Sequence, residues 1–265
     1  MEIAGKTVLV TGATGGLGQA VARALAARGA RLLLTGRRAD VLEPLRDDVG
    51  GRAIVCDLAD RSELGALVDE AGDVDVLVAN AGIPASGLVA EYSVEQVDRA
   101  LDINLRAPIL LARAFSPPMV ARGEGHLVFM SSLSGKVAVQ RSAIYSATKF
   151  GLRGFALGMR EDLRHTGVGV STIFPGPIDE AGMFADTAVE LPRLAGSRGP
   201  EDVASAVVEA IERNRAEVDV APLPMRLGTS LGSVAPTVLA AVNRRLGTDT
   251  IAAQVAESRS QRSKR

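Results

Sequence analysis

Thr7-Val-Leu-Val-Thr-Gly-Ala-Thr-Gly-Gly-Leu-Gly18 is the stretch on which the fold turns. Val8, Leu9 and Val10 form an apolar run too short for a helix and β-branched enough for a buried strand. Four glycines, Gly12, Gly15, Gly16 and Gly18, follow at once, and Gln19 to Arg28 then reads as an Ala-rich helix. A strand, a glycine turn and a helix at the start of the chain predict a site for a dinucleotide pyrophosphate. Side chains must be absent where the backbone passes close to phosphate. The free N–H groups at the start of the helix face the negative charge. The spacing is Thr11-Gly12-x-x-x-Gly16-x-Gly18, one residue longer between the first two glycines than the G-x-G-x-x-G of two-domain dehydrogenases.

Working outward, apolar runs alternate with helical segments to residue 221. Strands are expected at 31–35, 52–56, 74–79, 126–130, 168–174 and 217–221, and helices at 39–49, 60–70, 93–122, 144–165 and 201–213. Asp60 with Glu63 has the form of a capping box. Pro108 should kink or break the long helical region, and Pro200 sits where a first-turn proline belongs. The strands lack polar alternation, so helices should cover both faces of a parallel, doubly wound α/β sheet of Rossmann type with seven strands. Ligands bind such sheets beyond the carboxyl ends of the strands. The residues just past each strand are therefore the candidates: Gly12, Gly36-Arg37, Asp57, Asn80-Ala81-Gly82, Ser131-Ser132 and Pro175-Gly176.

Composition narrows the classes. Of 265 residues, 47% are hydrophobic, enough for a sizeable core. A net charge of -1 offers no general field for nucleic acid. The single cysteine, Cys56, rules out an intrachain disulfide and points to a reducing compartment, the cytoplasm. His126 and His165 stand far apart without cysteine partners, so no metal site is expected. Neither a signal peptide nor an apolar run of membrane-spanning length is read in the chain.

Tyr145 and Lys149 lie one turn apart at the start of a helix, so phenol and ammonium can share a pocket. A free tyrosine has a pKa of about 10. A nearby cation favours the phenolate and lowers that value. The phenol could then exchange a proton with an alcohol or carbonyl. Ser132, 13 residues earlier at the mouth of a strand, could hold the same substrate oxygen. Asn104 is a polar group amid apolar neighbours. Each has a plainer reading: a surface pair for Tyr145 and Lys149, a turn cap for Ser132, a buried amide satisfying local backbone for Asn104.

Taken in order, Thr11-Gly12-xxx-Gly16-x-Gly18, Asp57, Asn80-Ala81-Gly82, Asn104, Ser132, Tyr145-xxx-Lys149 and Pro175-Gly176 resemble the short-chain dehydrogenases/reductases of the compact, single-domain type. The resemblance spans about residues 3–222. It implies Tyr145 as acid/base, Lys149 bridging the ribose hydroxyls and Tyr145, and Ser132 holding the substrate oxygen. Asn104 would hold a water linking Lys149 to solvent. On the cofactor it implies Gly12, Thr14, Gly15, Gly16, Leu17 and Gly18 at the phosphates and Asp57 with Leu58 at the adenine. Asn80, Ala81 and Gly82 would support that side, and Pro175, Gly176 and Ile178 would contact the nicotinamide. Glycine at 135, three residues on, selects Ser132 over Ser131. Gly36 stands where an NAD enzyme of this fold carries an acid, and Arg37 and Arg38 follow, so NADP(H) is expected over NAD(H).

The chain departs from the family at Ala79, where an asparagine is usual, and at Glu180, where a threonine usually helps fix the carboxamide. The segment 178–197, with Met183 and Phe184, is expected to face a hydrophobic alcohol or ketone. Two other functions compete: a catalytically silent NADP-binding regulator of the same fold, and a nucleotide-sugar epimerase or dehydratase, for which too few residues follow Phe174. Residues 1–222 form the catalytic domain and 223–265 an extension. Pro222-Leu-Pro224 is read as interrupting the sheet edge, with a helix expected over 234–246 and a basic, disordered end. The extension carries seven positive charges against two negative, a local balance of +5. A helix over the sheet edge is favoured there above one docked on an anionic membrane. It would leave a homodimer paired through the two long helices, with a tetramer as the other outcome.

Overall fold

Runs of valine, leucine and isoleucine with both faces apolar can only be satisfied inside a covered sheet, and the computed structural model places them there. It describes residues 1–178, 196–235 and 237. The strands are β1 (Thr7–Thr11), β2 (Arg31–Gly36), β3 (Arg52–Val55), β4 (Val76–Ala79), β5 (Gly125–Met130), β6 (Val168–Pro175) and β7 (Glu217–Val220). All pair in parallel in the order β3-β2-β1-β4-β5-β6-β7. The winding reverses between β1 and β4, where Val8 pairs with Leu32 on one side and Val76 on the other.

Helices α1 (Gly16–Ala26), α2 (Ala39–Val49), α3 (Arg61–Ala71), α4 (Val94–Leu101), α5 (Ala107–Arg122), α6 (Ala143–Asp162) and α7 (Pro200–Arg213) fill the crossovers. Strand alternation divides the core cleanly. Val8, Val10, Val76 and Val78 pack under α1, α2 and α7, while Leu9, Leu77, Leu127 and Phe129 pack under α3, α5 and α6.

Three local differences from the sequence reading have physical causes. The long helical region breaks at a π turn, Asp102–Arg106, between α4 and α5. Pro108 falls in the first turn of α5, where its missing N–H costs nothing, so the break precedes it. At α3 the Asp60 carboxylate accepts from the Ser62 and Glu63 N–H groups (2.7 and 3.1 Å), but Glu63 reaches the Asp57 N–H at 2.6 Å. The capping box is therefore half made. At the far end Pro222 and Pro224 start a helix, α8 (Leu223–Val234), instead of interrupting the edge. The expected 234–246 helix lies, beyond its first residues, outside the described residues.

No described helix is long and apolar enough to cross a membrane. His126 is a core residue of β5: its Nε2 lies 2.8 Å from Ser171 Oγ, which donates to the Arg215 carbonyl at 2.5 Å. Gly169 leaves room for the ring, since a Cβ there would stand 2.3 Å from Nδ1. Burial, then the chain's N-terminal charge and Arg160, push the imidazole down from 6.5 to about 3. A neutral native histidine that charges on unfolding contributes stability above pH 6.5, and that contribution is lost as the pH falls from 6.5 towards 3. We expect stability to decline below pH 6.5 with a slope of up to about 1.4 kcal/mol per pH unit from this group. His126→Gln should flatten that slope in urea melts taken at pH 7 and pH 5; an unaltered slope would refute it.

Candidate active site

Gly12 leaves β1 with φ +65°, a conformation that suits glycine. A Cβ there would lie 2.7 Å from the Ala81 Cα, and one at Gly18 would lie 2.2 Å from the Gly12 carbonyl oxygen. The turn is thus folded back on itself and onto the end of β4. Asn80 braces it: its amide donates to the Thr11 and Gly12 carbonyls (2.9 and 3.3 Å). The Thr11 hydroxyl accepts the Asn80 and Ala81 N–H groups, both at 3.0 Å. Helix α1 begins with Gly15 as N-cap, without a side-chain cap or an acid in its first turn. The first-turn N–H groups of Gly16, Leu17 and Gly18 have no intrahelical acceptor and carry the positive end of the helix dipole. This cradle fits a pyrophosphate.

At the end of β2 Gly36 is enclosed. A Cβ would meet the Thr14 methyl at 2.7 Å, so an acid cannot stand there without displacing Thr14. Arg38 donates to the Thr14 carbonyl at 2.5 Å, and Arg37 beside it is exposed. Asp57 is engaged by Arg99 at 2.8 Å and by the Ala59 N–H at 3.1 Å. Burial would raise its carboxyl, but Arg99, the Ala59 N–H and the Arg37 charge together hold it below the usual range. Leu58 is buried in the core behind it.

Lys149 reaches the carboxyl ends of β4 and β5, at Gly82 and Met130, and Ser132 lies where β5 ends, beside the end of β6 at Pro175. Lys149 is 2% exposed and its ammonium donates to the Met130 carbonyl at 2.8 Å. Burial pushes it down from 10.5 to about 8. Its Nζ lies 5.6 Å from the centre of the Tyr145 ring, which packs among Ala85, Ala100 and Tyr92. A Cβ on Gly82 would lie 3.4 Å from Asn104 Oδ1 and 3.5 Å from Lys149 Nζ, so both flank one glycine. The Asn104 side chain is closed on Ile83, taking its N–H at 2.8 Å and donating to its carbonyl at 2.9 Å. The amide therefore serves the backbone, within a π turn of the kind that recurs at functional sites.

The two serines separate. Ser131 is buried and donates to the Lys149 carbonyl at 3.1 Å. Ser132 is half-buried, caps the 3-10 turn Leu133–Gly135 by accepting the Ser134 N–H at 3.2 Å, and lies 3.5 Å from the Pro175 carbonyl. It is both a turn cap and the serine at the strand mouth. Gly176 donates to the Val220 carbonyl at 3.0 Å, and Ile178 is buried, bridged to Arg198. Met183, Phe184 and Glu180 lie outside the described residues.

Sequence reasoning did not single out Thr11 as the brace at Asn80, nor Arg99 on Asp57, 42 residues away with no local signal. It also missed a charged group beside the serine turn. Lys136 pairs with Asp219 (2.6 Å) and Glu217 (3.1 Å), and Arg153 forks onto Glu217 (2.7 and 3.2 Å). Burial would raise Glu217, but Arg153 and Lys136 hold it below its usual range. No His, Cys, Asp and Glu cluster suited to a metal occurs among the described residues.

A profile described as short chain dehydrogenase matches residues 6–190. Ketoacyl reductase HetN of Nostoc sp. is 38% identical over 97% of this chain and 94% of its own length. A metagenomic short-chain oxidoreductase solved with NADP is 32% identical, with TM-score 0.70 over 84% of this chain and 99% of that one. A short-chain dehydrogenase from Sphingobium yanoikuyae solved with NADPH is 25% identical, with TM-score 0.76 over 88% and 95%.

A buried lysine carries a stability penalty. Below pH 8 the native state must hold a charged ammonium in the core. Between about 8 and 10.5 the unfolded chain binds more protons, so the penalty fades as the pH rises through that range. It amounts to about 3 kcal/mol at most, offset by the about 1–3 kcal/mol of leaving the Met130 carbonyl unpaired. We expect Lys149→Met to melt at or above the wild-type temperature at pH 7 in the absence of cofactor while binding NADPH more weakly. A fall of more than about 4 °C would show that Lys149 is structural.

Proposed function

Because this chain belongs to the short-chain dehydrogenase/reductase family, we propose that it is an NADP-dependent oxidoreductase interconverting a hydrophobic ketone or aldehyde and the corresponding alcohol. The observation that carries the reading is the buried Lys149, its ammonium 5.6 Å from the ring of Tyr145 one helical turn earlier, on a helix that packs against the turn Ser132 caps. The nicotinamide, when bound, supplies or takes up the hydride.

The protein's own residues handle the substrate oxygen and its proton. Ser132 Oγ donates a hydrogen bond to that oxygen and orients it. Tyr145 gives its phenolic proton to the oxygen during reduction and takes it back during oxidation. Lys149, protonated for the most part at neutral pH, favours the phenolate and so draws the phenol towards the working pH. Asn104 holds the Ile83 backbone beside Lys149, next to the water path assigned to it. Gly12 to Gly18, with Thr14 and Leu17, hold the phosphates on the start of α1. Asp57 with Leu58 takes the adenine, and Asn80, Ala81 and Gly82 back it. Pro175, Gly176 and Ile178 border the nicotinamide, while Met183 and Phe184 contact the substrate.

The ketoacyl reductase name of the Nostoc relative supports a hydrophobic ketone. Exposed Val120 on α5 and Phe150 and Leu157 on α6 support a homodimer through those helices. We place the protein in the cytoplasm, with residues 1–222 as the catalytic domain and 223–265 as its extension.

A carbonyl panel with NADPH, read by absorbance, tests the reaction class. In it Tyr145→Phe should retain cofactor binding and lose about 100- to 10,000-fold in kcat; an unchanged kcat would remove Tyr145 from the chemistry. For the cofactor, Arg37→Ala should raise the KM for NADPH while leaving that for NADH unaltered. One lost charge-assisted bond of about 1.5–3 kcal/mol corresponds to roughly tenfold to 150-fold. Equal wild-type KM values for NADPH and NADH would sink the preference.

A further inference from the structure

Lys136 is the charged side chain nearest the serine turn that the reaction does not use. Its side chain is 9% exposed, and it stands immediately after the 3-10 turn Leu133–Gly135 that Ser132 caps. Its ammonium lies 2.6 Å from Asp219 and 3.1 Å from Glu217 on β7, and 4.0 Å from the centre of the Phe174 ring. Arg153 of α6 completes the group on Glu217. Two cations and two carboxylates share a largely buried place at the edge of the sheet, so removing Lys136 leaves Asp219 without its ion-pair partner.

The turn is held from two sides. On one side Gly135 is wedged under α6: a Cβ there would stand 2.4 Å from Ser131 Oγ and 2.8 Å from the Lys149 carbonyl oxygen. On the other side the Lys136 ammonium reaches across to β7. The residue next to Asp219, Val220, accepts the Gly176 N–H at 3.0 Å. Ser132 and the Pro175-Gly176 segment are thereby referred to the same two residues of β7. Helix α8 joins the arrangement, with Ser233 Oγ 3.4 Å from the Lys136 carbonyl.

We propose that Lys136 is a positioning residue: its ion pair with Asp219 sets the serine turn against the Pro175-Gly176 segment, and so fixes where Ser132 presents its hydroxyl. The proposal rests on the reading of Ser132 as the group that holds the substrate oxygen. A pair that only cemented β7 would affect folding without separating substrate turnover from cofactor binding. A pair that aims Ser132 affects kcat more than NADPH affinity, because the phosphate cradle at Gly12 to Gly18 belongs to β1 and α1 and only the nicotinamide end of the cofactor, at Pro175-Gly176, adjoins the pair.

The test uses the full chain and two variants, Lys136→Met and Lys136→Gln, the second keeping a polar side chain if the first fails to fold. Displacement of a positioning contact is expected to lower kcat by about tenfold to 100-fold, with the Kd for NADPH within about twofold of wild type. Amide hydrogen exchange should quicken by about tenfold or more at residues 133–137 while residues 147–160 of α6 remain as protected as before. A folded variant with wild-type kcat, or with undisturbed exchange at 133–137, would overturn the proposal. So would a loss of NADPH affinity in proportion to kcat. Should the wild-type protein reduce no carbonyl, the reading of its function falls, while the exchange and NADPH arms still decide whether Lys136 holds the turn.

Discussion

The structure depends on two missing side chains. At the end of β1 the chain must turn within contact of β4 and then start a helix over its own turn. Gly12 and Gly18 make this possible, because a Cβ on either would overlap backbone at 2.7 and 2.2 Å. Hydrogen bonds from Asn80 and to Thr11 then lock the turn to β4 at the place where the sheet reverses its winding. Everything bound at that crevice inherits its geometry from this close approach. The uncapped start of α1 faces outward from it, and Gly82 continues it towards Lys149.

Around the crevice the same element serves opposite ends of the site. Helix α6 carries Tyr145 and Lys149 in its first two turns and packs Leu152 and Ala156 into the core further on. A lysine ammonium loses hydration when buried, and a single carbonyl at 2.8 Å does not replace a water shell. The core around α6 must supply the difference. The arrangement is a stability cost accepted at a position that a purely structural helix would fill with an apolar residue.

The edge formed by β6 and β7 is a second centre of charge. Its carboxylates on β7 face α6 and the serine turn, while Val220 faces α7 and the core. Strand alternation alone produces that division. The effect is that an edge strand, usually a liability, is tied by Lys136 and Arg153 to the two elements that carry Ser132, Tyr145 and Lys149.

How much of this was legible in the chain follows from the range of each signal. The strands, the span of α2 and the first-turn proline of α7 rest on hydrophobic period and local backbone rules, which act within a few residues. The glycine turn and the Tyr145–Lys149 spacing are short motifs of the same kind. The π turn at Asp102–Arg106 was not legible, since no residue pattern marks it and packing on α6 and the Gly82–Ile83 backbone decides it. Nor did the prolines at 222 and 224 reveal that they start a helix, because a proline can end an element or begin one. Pairings across 42 residues, as between Asp57 and Arg99, or across 83, as between Lys136 and Asp219, leave no trace in local sequence. The sequence by itself determined the order of the seven strands along the chain and the residues placed at their ends. Only the tertiary structure decided which of those residues meet, because a buried charge finds its partner through the fold and not along the chain.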